Sequence, residues 1–99
     1  MTIKQRKILT GNYETFIHEG GETNSETIIL IHGSGPGASA SANWKDILPH
    51  YEEEFHVIAL DLVGFGDTDH PVVYPKNGAQ WMNARITQVL DVMDQLRIE

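Results

Sequence analysis

A short apolar run, Thr27–Ile31, passes directly into the glycine-rich segment His32-Gly33-Ser34-Gly35-Pro36-Gly37. A continuous run of aliphatic and β-branched residues that ends in glycines predicts a buried strand followed by a tight turn. Glycines let the backbone approach a bound group closely and direct its N–H groups at that group. The sequence therefore predicts a loop that binds negative charge, carried by either an oxyanion or a phosphate.

Turn residues and apolar runs predict the strands around this loop. Gly11-Asn12 separates two β-forming segments, Lys7–Leu9 and Glu14–His18, and therefore predicts a hairpin. Thr27–Ile31 is continuously apolar, of the kind found inside parallel sheets, and Phe55–Leu60 is predicted to be a second buried strand. It leads into Asp61–Asp69, another loop that is interrupted by glycines.

Helical spacing is found in two segments. The first is expected to form a helix that Pro49 disturbs near its end, and its apolar positions are Trp44, Ile47, Leu48 and Tyr51. The second begins at about Gln80 and has an apolar stripe at Met82, Ile86, Val89, Leu90, Met93 and Leu96. The order hairpin, strand, helix, strand, helix predicts an α/β fold with a parallel strand pair and a right-handed crossover.

Composition restricts the class of protein. The 99 residues fit one small domain or part of a larger one. A net charge of −7 argues against a nucleic-acid partner, because phosphate binding needs a basic face. No apolar run approaches the ~18 residues of a membrane span, and the basic start is not followed by the apolar stretch of a secretory signal. With no cysteine and no metal-ligand spacing among the histidines, we expect no metal site and a cytoplasmic location.

The residues alone leave two interpretations of the glycine-rich segment open. Gly35 to Ala40 matches G-x-G-x-x-A between a strand and a helix, and Asp61 ends the next strand, which fits a dinucleotide-binding module using Gly35, Gly37 and Asp61. The preceding hairpin and Pro36, which lacks an N–H, argue against that module. The other interpretation is the oxyanion hole of a hydrolase, to which the loop after an early strand contributes one N–H.

Three stretches together resemble the N-terminal part of an α/β-hydrolase. They are the strand with its H-G-x-G segment, the small-residue spacer that ends at Asn43-Trp44, and Asp61–Asp69, which is similar to the loop D-x-x-G-F-G-x-[ST]-D. The most similar family is the meta-cleavage product hydrolases, which hydrolyse carbon–carbon bonds during the degradation of aromatic compounds. The resemblance covers nearly the whole chain but only the first third or so of a family member. It implies that residues 1–99 are the N-terminal portion of a single α/β-hydrolase core domain, truncated before the nucleophile strand.

The resemblance also implies roles for particular residues. The backbone N–H near Ser34 is expected to help form the oxyanion hole, and Gly33 and Gly35 are expected to shape the loop. The Ser34 hydroxyl is expected to contact the substrate. The Asn43 amide matches a family position that binds the dienoate end of the substrate, although its place before Trp44 also fits a helix cap.

Other side chains near these loops are expected to be structural. We expect His32 to pack beneath the glycine-rich segment, Asp61 to order the turn around it, and Trp81 to pack in the core or under a lid. Without the nucleophile strand, Thr27–Ile31 is expected to be an unprotected sheet edge.

The chain contains no G-x-S-x-G, so the resemblance puts the nucleophile, the acid and the catalytic histidine beyond Glu99. It implies a parent enzyme that hydrolyses a 2-hydroxy-6-oxo-dienoate by ketonisation of the substrate and attack on the resulting ketone. We expect this parent to act on a small-molecule substrate without a metal or organic cofactor and to be a homo-oligomer. A carboxylester hydrolase of the same fold is the nearest alternative, because the oxyanion machinery is shared.

Overall fold

The computed structural model describes residues 3–11, 13–33, 37–69 and 75–98. Within these ranges the chain forms one four-stranded mixed sheet, with short helices on one face and a long helix on the other. The strands are β1 (Lys4–Thr10), β2 (Tyr13–Gly20), β3 (Thr27–Ile31) and β4 (His56–Leu60), and the helices are α1 (Ala40–Trp44), α2 (Leu48–Tyr51) and α3 (Gly78–Gln95). The strand order is β1-β2-β4-β3, so β3 lies at an edge of the sheet.

The predicted hairpin is confirmed as β1 and β2, and it is longer than the sequence pattern indicated. Thr10 pairs with Tyr13, so the connection is the dipeptide whose first residue, Gly11, has a φ of 65°. Glycine adopts this left-handed conformation without steric cost. β1 exposes most of its side chains, so its first half lacks the apolar alternation by which a strand is recognised.

β4 is the central strand, antiparallel to β2 and parallel to β3. Its side chains alternate between two cores. Ile58 and Leu60 pack with Val92 of α3 on one face, whereas Val57 and Ala59 pack with α1 and α2 on the other. The prediction of a strand buried on both faces is therefore confirmed, as is its parallel pairing with Thr27–Ile31.

The single helix predicted around Pro49 is two short helices. Ser39 caps α1, and its hydroxyl oxygen accepts the N–H of Ala42 at 3.0 Å. α2 begins at Leu48 and has Pro49 in its first turn, where a missing N–H breaks no helical hydrogen bond. The prediction that Pro49 disturbs the end of one helix is therefore wrong, because the proline lies at the start of a second helix.

The long amphipathic helix is confirmed as α3, but its apolar stripe is only partly buried. Val89 and Leu96 pack against the core, while Met82, Ile86 and Leu90 are 63%, 51% and 54% exposed. Ile86 and Leu90 lie beside the edge of β3, where they line a groove of about 340 Å³ with Ile31, Leu62, Arg85 and Val89. Among the described residues, no helix combines the length and the hydropathy that crossing a bilayer requires.

Candidate functional site

Two loops emerge at the same edge of the sheet, because β3 and β4 are parallel. We name residues 32–39, after β3, the glycine loop, and residues 61–69, after β4, the β4 loop. In open α/β sheets, ligands bind at the carboxyl ends of the strands. Of the predicted oxyanion-loop residues, Ser34 and Gly35 lie outside the described residues. Gly33 is exposed, and no described atom lies within 4 Å of the position its Cβ would take.

His32 links the glycine loop to the β4 loop. Its side chain is buried, its Nε2 accepts the N–H of Leu62 at 3.0 Å, and its Nδ1 is hydrogen-bonded to the carbonyl oxygen of Gly33. Since Nε2 accepts, the ring proton lies on Nδ1, which donates to Gly33. The ring also packs edge-on against Phe65, with 5.0 Å between the centroids. The expected structural role of His32 beneath the loop is confirmed.

Asp61 is a second link between the two loops. Its side chain is buried; Oδ1 accepts the N–H of Ala40 at 2.8 Å and Oδ2 accepts the N–H of Asp67 at 2.9 Å. Both carboxylate oxygens are therefore occupied by backbone donors, and the expectation that Asp61 orders its turn is confirmed. A buried and fully engaged carboxylate does not reach a ribose hydroxyl, so the structure does not support the dinucleotide interpretation.

Gln88 of α3 fixes the start of the β4 loop. Its Nε2 donates to the carbonyl oxygen of Asp61 and to the hydroxyl of Thr15, both at 3.0 Å, and its Oε1 accepts the N–H of Val63 at 2.8 Å. Thr68 adds a further link, because its hydroxyl donates to the Asp61 carbonyl oxygen at 2.6 Å and accepts a β2 backbone N–H at 2.9 Å. Sequence analysis missed Gln88, whose only signal was an amide between the apolar positions of a helix.

Two glycines of the β4 loop have a positive φ, and at one of them close packing also excludes a side chain. Gly66 has a φ of 52°, and a Cβ there would lie 2.2 Å from Oδ2 of Asp61. Gly64 has a φ of 91°, and a Cβ there would lie 3.3 Å from the ring of Trp81. Gly66 therefore follows from its contact with the Asp61 carboxylate and from its positive φ, and Gly64 follows from its positive φ.

Asn43 is the fourth residue of α1 and is exposed. The N-cap of this helix is Ser39, so the alternative that Asn43 caps the helix is wrong. Within the described part of the chain its side-chain amide makes no hydrogen bond, which leaves the amide available to a ligand. Its assignment to substrate binding stays a prediction.

Arg85 and Trp81 flank the same edge of the sheet from α3. The guanidinium carbon of Arg85 lies 5.4 Å from the ring centroid of Phe65 and 5.2 Å from that of Trp81. These distances are typical of cation–π contacts. Trp81 thus packs between Arg85 and Gly64, as the packing role predicted for it requires.

His18 of β2 is buried on the face of the sheet covered by α1 and α2. Burial lowers the pKa of His18 below its ordinary value, and the negative charges of Asp61 and Asp67 oppose this effect in part. Its ring packs edge-on against Phe16, with 5.2 Å between the centroids. In the same described ranges, no group of three or more His, Cys, Asp or Glu residues is placed to hold a metal ion.

The sequence profile of the alpha/beta hydrolase fold matches residues 26–99. A curated 2-hydroxy-6-oxo-2,4-heptadienoate hydrolase of Pseudomonas putida is 37% identical over 94 residues, which cover 95% of this chain and 33% of that protein. The solved 2-hydroxy-6-oxo-6-phenylhexa-2,4-dienoate hydrolase of Rhodococcus sp. strain RHA1 is similar with a TM-score of 0.90 and 33% identity, covering 99% of this chain and 35% of its own. A meta-cleavage product hydrolase of Pseudomonas fluorescens IP01 has a TM-score of 0.83 and 39% identity over 95% of this chain and 32% of its own. The chain spans about a third of the length of these relatives.

Proposed function

Because the chain belongs to the alpha/beta hydrolase fold family, we propose that the protein carrying it hydrolyses a carbon–carbon bond in 2-hydroxy-6-oxo-dienoates. The observation that carries this proposal is the similarity of the whole chain, loops included, to hydrolases that are named for such dienoates. Residues 1–99 are its N-terminal part within a single core domain. The nucleophilic serine, the acid and the catalytic histidine come from the rest of the protein.

In this proposal the glycine loop supplies an oxyanion hole. The substrate first ketonises, and attack on the resulting ketone then places negative charge on its oxygen. The N–H near Ser34 stabilises that charge, in a loop shaped by Gly33 and Gly35, and the Ser34 hydroxyl contacts the substrate. The exposure of Gly33 and its position at the carboxyl end of β3 support this role. One oxyanion donor contributes about 2.7–4 kcal/mol to transition-state stabilisation in comparable sites.

Asn43 binds the dienoate end of the substrate in the same proposal. α1 starts at Ala40, immediately after the glycine loop. Asn43 lies three residues after Ala40, which is about 4.5 Å along the helix axis. The exposed amide of Asn43 carries both a donor and an acceptor, which suits a conjugated acid with a neighbouring hydroxyl group.

We further propose that this protein is a cytoplasmic homo-oligomer that acts on small molecules without a metal or organic cofactor. The absence of cysteine fits a reducing compartment, and the net charge of −7 argues against nucleic acid as a partner.

The test uses the full-length protein that carries this chain. We expect it to cleave 2-hydroxy-6-oxohepta-2,4-dienoate, and this cleavage is measured as the loss of absorbance of the conjugated chromophore. The kcat/KM for the dienoate should be at least about a hundredfold above that for p-nitrophenyl butyrate. Asn43→Ala is expected to lower the dienoate rate, whereas Asn83→Ala, at an exposed position on α3, is expected to leave it unchanged. A preference for the aryl ester would instead indicate a carboxylester hydrolase, and turnover of neither substrate would refute both.

A further inference from the structure

We propose that the cavity between β1, β2 and the two short helices binds a small organic cation, a primary alkylammonium, whose N–H groups meet Glu52 and His18. The proposal is independent of the hydrolase activity proposed above. The cavity lies on the face of the sheet covered by α1 and α2, whereas the candidate site lies at the edge where β3 and β4 end. Its volume of about 310 Å³ is at the lower end of the range for small-molecule sites.

Two buried polar side chains line this cavity without a hydrogen-bond partner in the described part of the chain. His18 and Glu52 are each 5% exposed. Nε2 of His18 is buried and unpaired, and the Glu52 carboxylate accepts no hydrogen bond from any described residue. Buried polar groups are normally hydrogen-bonded, because an unpaired group loses its hydration without compensation. Two such groups at one cavity therefore point to a ligand that brings hydrogen-bond donors.

Gly20 makes room for the carboxylate beside His18. A Cβ on Gly20 would lie 2.8 Å from Oε2 of Glu52 and 2.6 Å from Cδ1 of Ile3, so these side chains fill the space that the glycine leaves open. Gly20 and His18 are two residues apart on β2, so they face the same side of the sheet about 6.5–7 Å from each other. A group that donates to two acceptors spans about 6 Å between them, at about 2.9 Å for each hydrogen bond. The carboxylate and the imidazole are thus close enough to share one ammonium.

The charges around the cavity favour a cation. Burial lowers the pKa of His18, so its ring is neutral at pH 7 and offers an acceptor nitrogen rather than a positive charge. The negative charges of Asp61 and Asp67 also act on this ring. Lys45 lines the cavity as well, but it is exposed, so water and salt screen its charge more than that of the buried Glu52.

The remaining lining residues determine the shape of the ligand. Ile3, Leu48 and Pro49 supply an apolar wall, against which a short alkyl chain packs. Ser41 of α1 adds a hydroxyl group that accepts a further N–H. An ammonium has three donors and no acceptor, which matches a carboxylate, a neutral imidazole and a hydroxyl. A carboxylate ligand of the same length would instead meet the buried carboxylate as a like charge.

The test titrates the full-length protein with n-butylammonium, 1-butanol and n-butyrate by calorimetry. We expect n-butylammonium to bind at least about tenfold more tightly than either of the others. Glu52→Gln should weaken its binding at least about tenfold, whereas Glu53→Gln, a matched change at the exposed neighbouring carboxylate, should weaken it less than about twofold. Absence of n-butylammonium binding, equal or tighter binding of 1-butanol or n-butyrate, or binding unchanged by Glu52→Gln would overturn the proposal.

Two further measurements locate the site and decide the matter if Glu52→Gln does not fold. In NMR spectra of the histidine rings, saturation with n-butylammonium should shift the signals of His18 but not those of His50, an exposed residue of α2. Lys45→Gln removes the opposing positive charge, so it should tighten binding about two- to fivefold in about 10 mM salt, where the Debye length is about 30 Å. Damage to the fold would weaken binding and cannot imitate this gain. An unshifted His18, or binding that Lys45→Gln leaves unchanged or weakens, would refute the site, and neither result depends on turnover of any substrate.

Discussion

Replacing Gly66 by alanine tests how tightly the β4 loop closes on the Asp61 carboxylate. Gly66 has a φ of 52°, and a Cβ there would lie 2.2 Å from Oδ2 and 2.5 Å from Cγ of Asp61. The carboxylate cannot turn away without losing the N–H of Ala40 or of Asp67. A left-handed alanine costs about 1–2 kcal/mol, and a lost hydrogen bond to a charged group costs about 1.5–3 kcal/mol. We therefore expect Gly66→Ala to lower the free energy of unfolding by about 2.5–5 kcal/mol.

The control for this substitution is Gly37→Ala. Gly37 has a φ of 77°, but no described atom lies within 4 Å of the position of its Cβ. It therefore carries the backbone strain without the clash, and we expect a loss of about 1–2 kcal/mol. Urea unfolding of the full-length variants measures both values. Equal decreases in the free energy of unfolding for Gly66→Ala and Gly37→Ala would refute the close contact of the β4 loop with the Asp61 carboxylate.

Other predictions follow from the same geometry. In the full-length protein, Ser34→Ala should lower turnover less than Gly35→Val, because the first change keeps the backbone N–H accessible, whereas the β-branched side chain of the second crowds the approach to the backbone; an equal loss from both, or a larger loss from Ser34→Ala, would mean that the hydroxyl carries the effect. Burial lowers the pKa of His18 in the folded chain, so below the ordinary pKa of 6.5 the unfolded chain binds a proton that the folded chain does not. The free energy of unfolding should therefore fall as pH drops through 6.5. His18→Gln should reduce this pH dependence in urea titrations. Residues 1–99 alone should have no hydrolase activity and should self-associate through the open edge of β3, which sedimentation measures. Ile31→Lys in the groove should weaken this association more than Leu9→Lys on β1, and a monodisperse unmodified 99-mer would contradict the prediction.

Local signals were sufficient to predict the main elements of the fold. The apolar run of β4 is buried on both faces of the sheet, as its composition predicts, whereas β3, predicted to be buried, is an edge strand that is only partly buried. The turn at Gly11 and the spacing within α3 are likewise set by residues close in sequence. The α/β-hydrolase resemblance depended in part on loop glycines; Gly66 is explained by the Asp61 carboxylate that a Cβ would strike, and Gly64 by its positive φ.

The remaining features depend on contacts between distant residues. The orientation of α3 is set by Gln88, which reaches the β4 loop and β2, so a polar residue faces the sheet while Ile86 and Leu90 face the groove. Helix α1 begins at Ala40, after the N-cap Ser39, although the small residues there gave no apolar spacing to mark the start. Asn43 could be a helix cap or an exposed residue inside the helix, and only the position of the Ser39 cap shows that it is the second.

The hairpin that precedes β3 is part of the support for the candidate site. β2 supplies the Phe16 carbonyl oxygen to Asp61 and the Phe16 N–H to Thr68, and its Thr15 hydroxyl accepts from Gln88. Each of these bonds fixes the β4 loop, which is in turn hydrogen-bonded to His32 and to Ala40. In the sequence the hairpin served only to argue against a dinucleotide module. In the structure it fixes the β4 loop from β2, which lies on the other side of β4 from β3. Damage to β2 should therefore reach Ala40, at the start of α1, through Asp61.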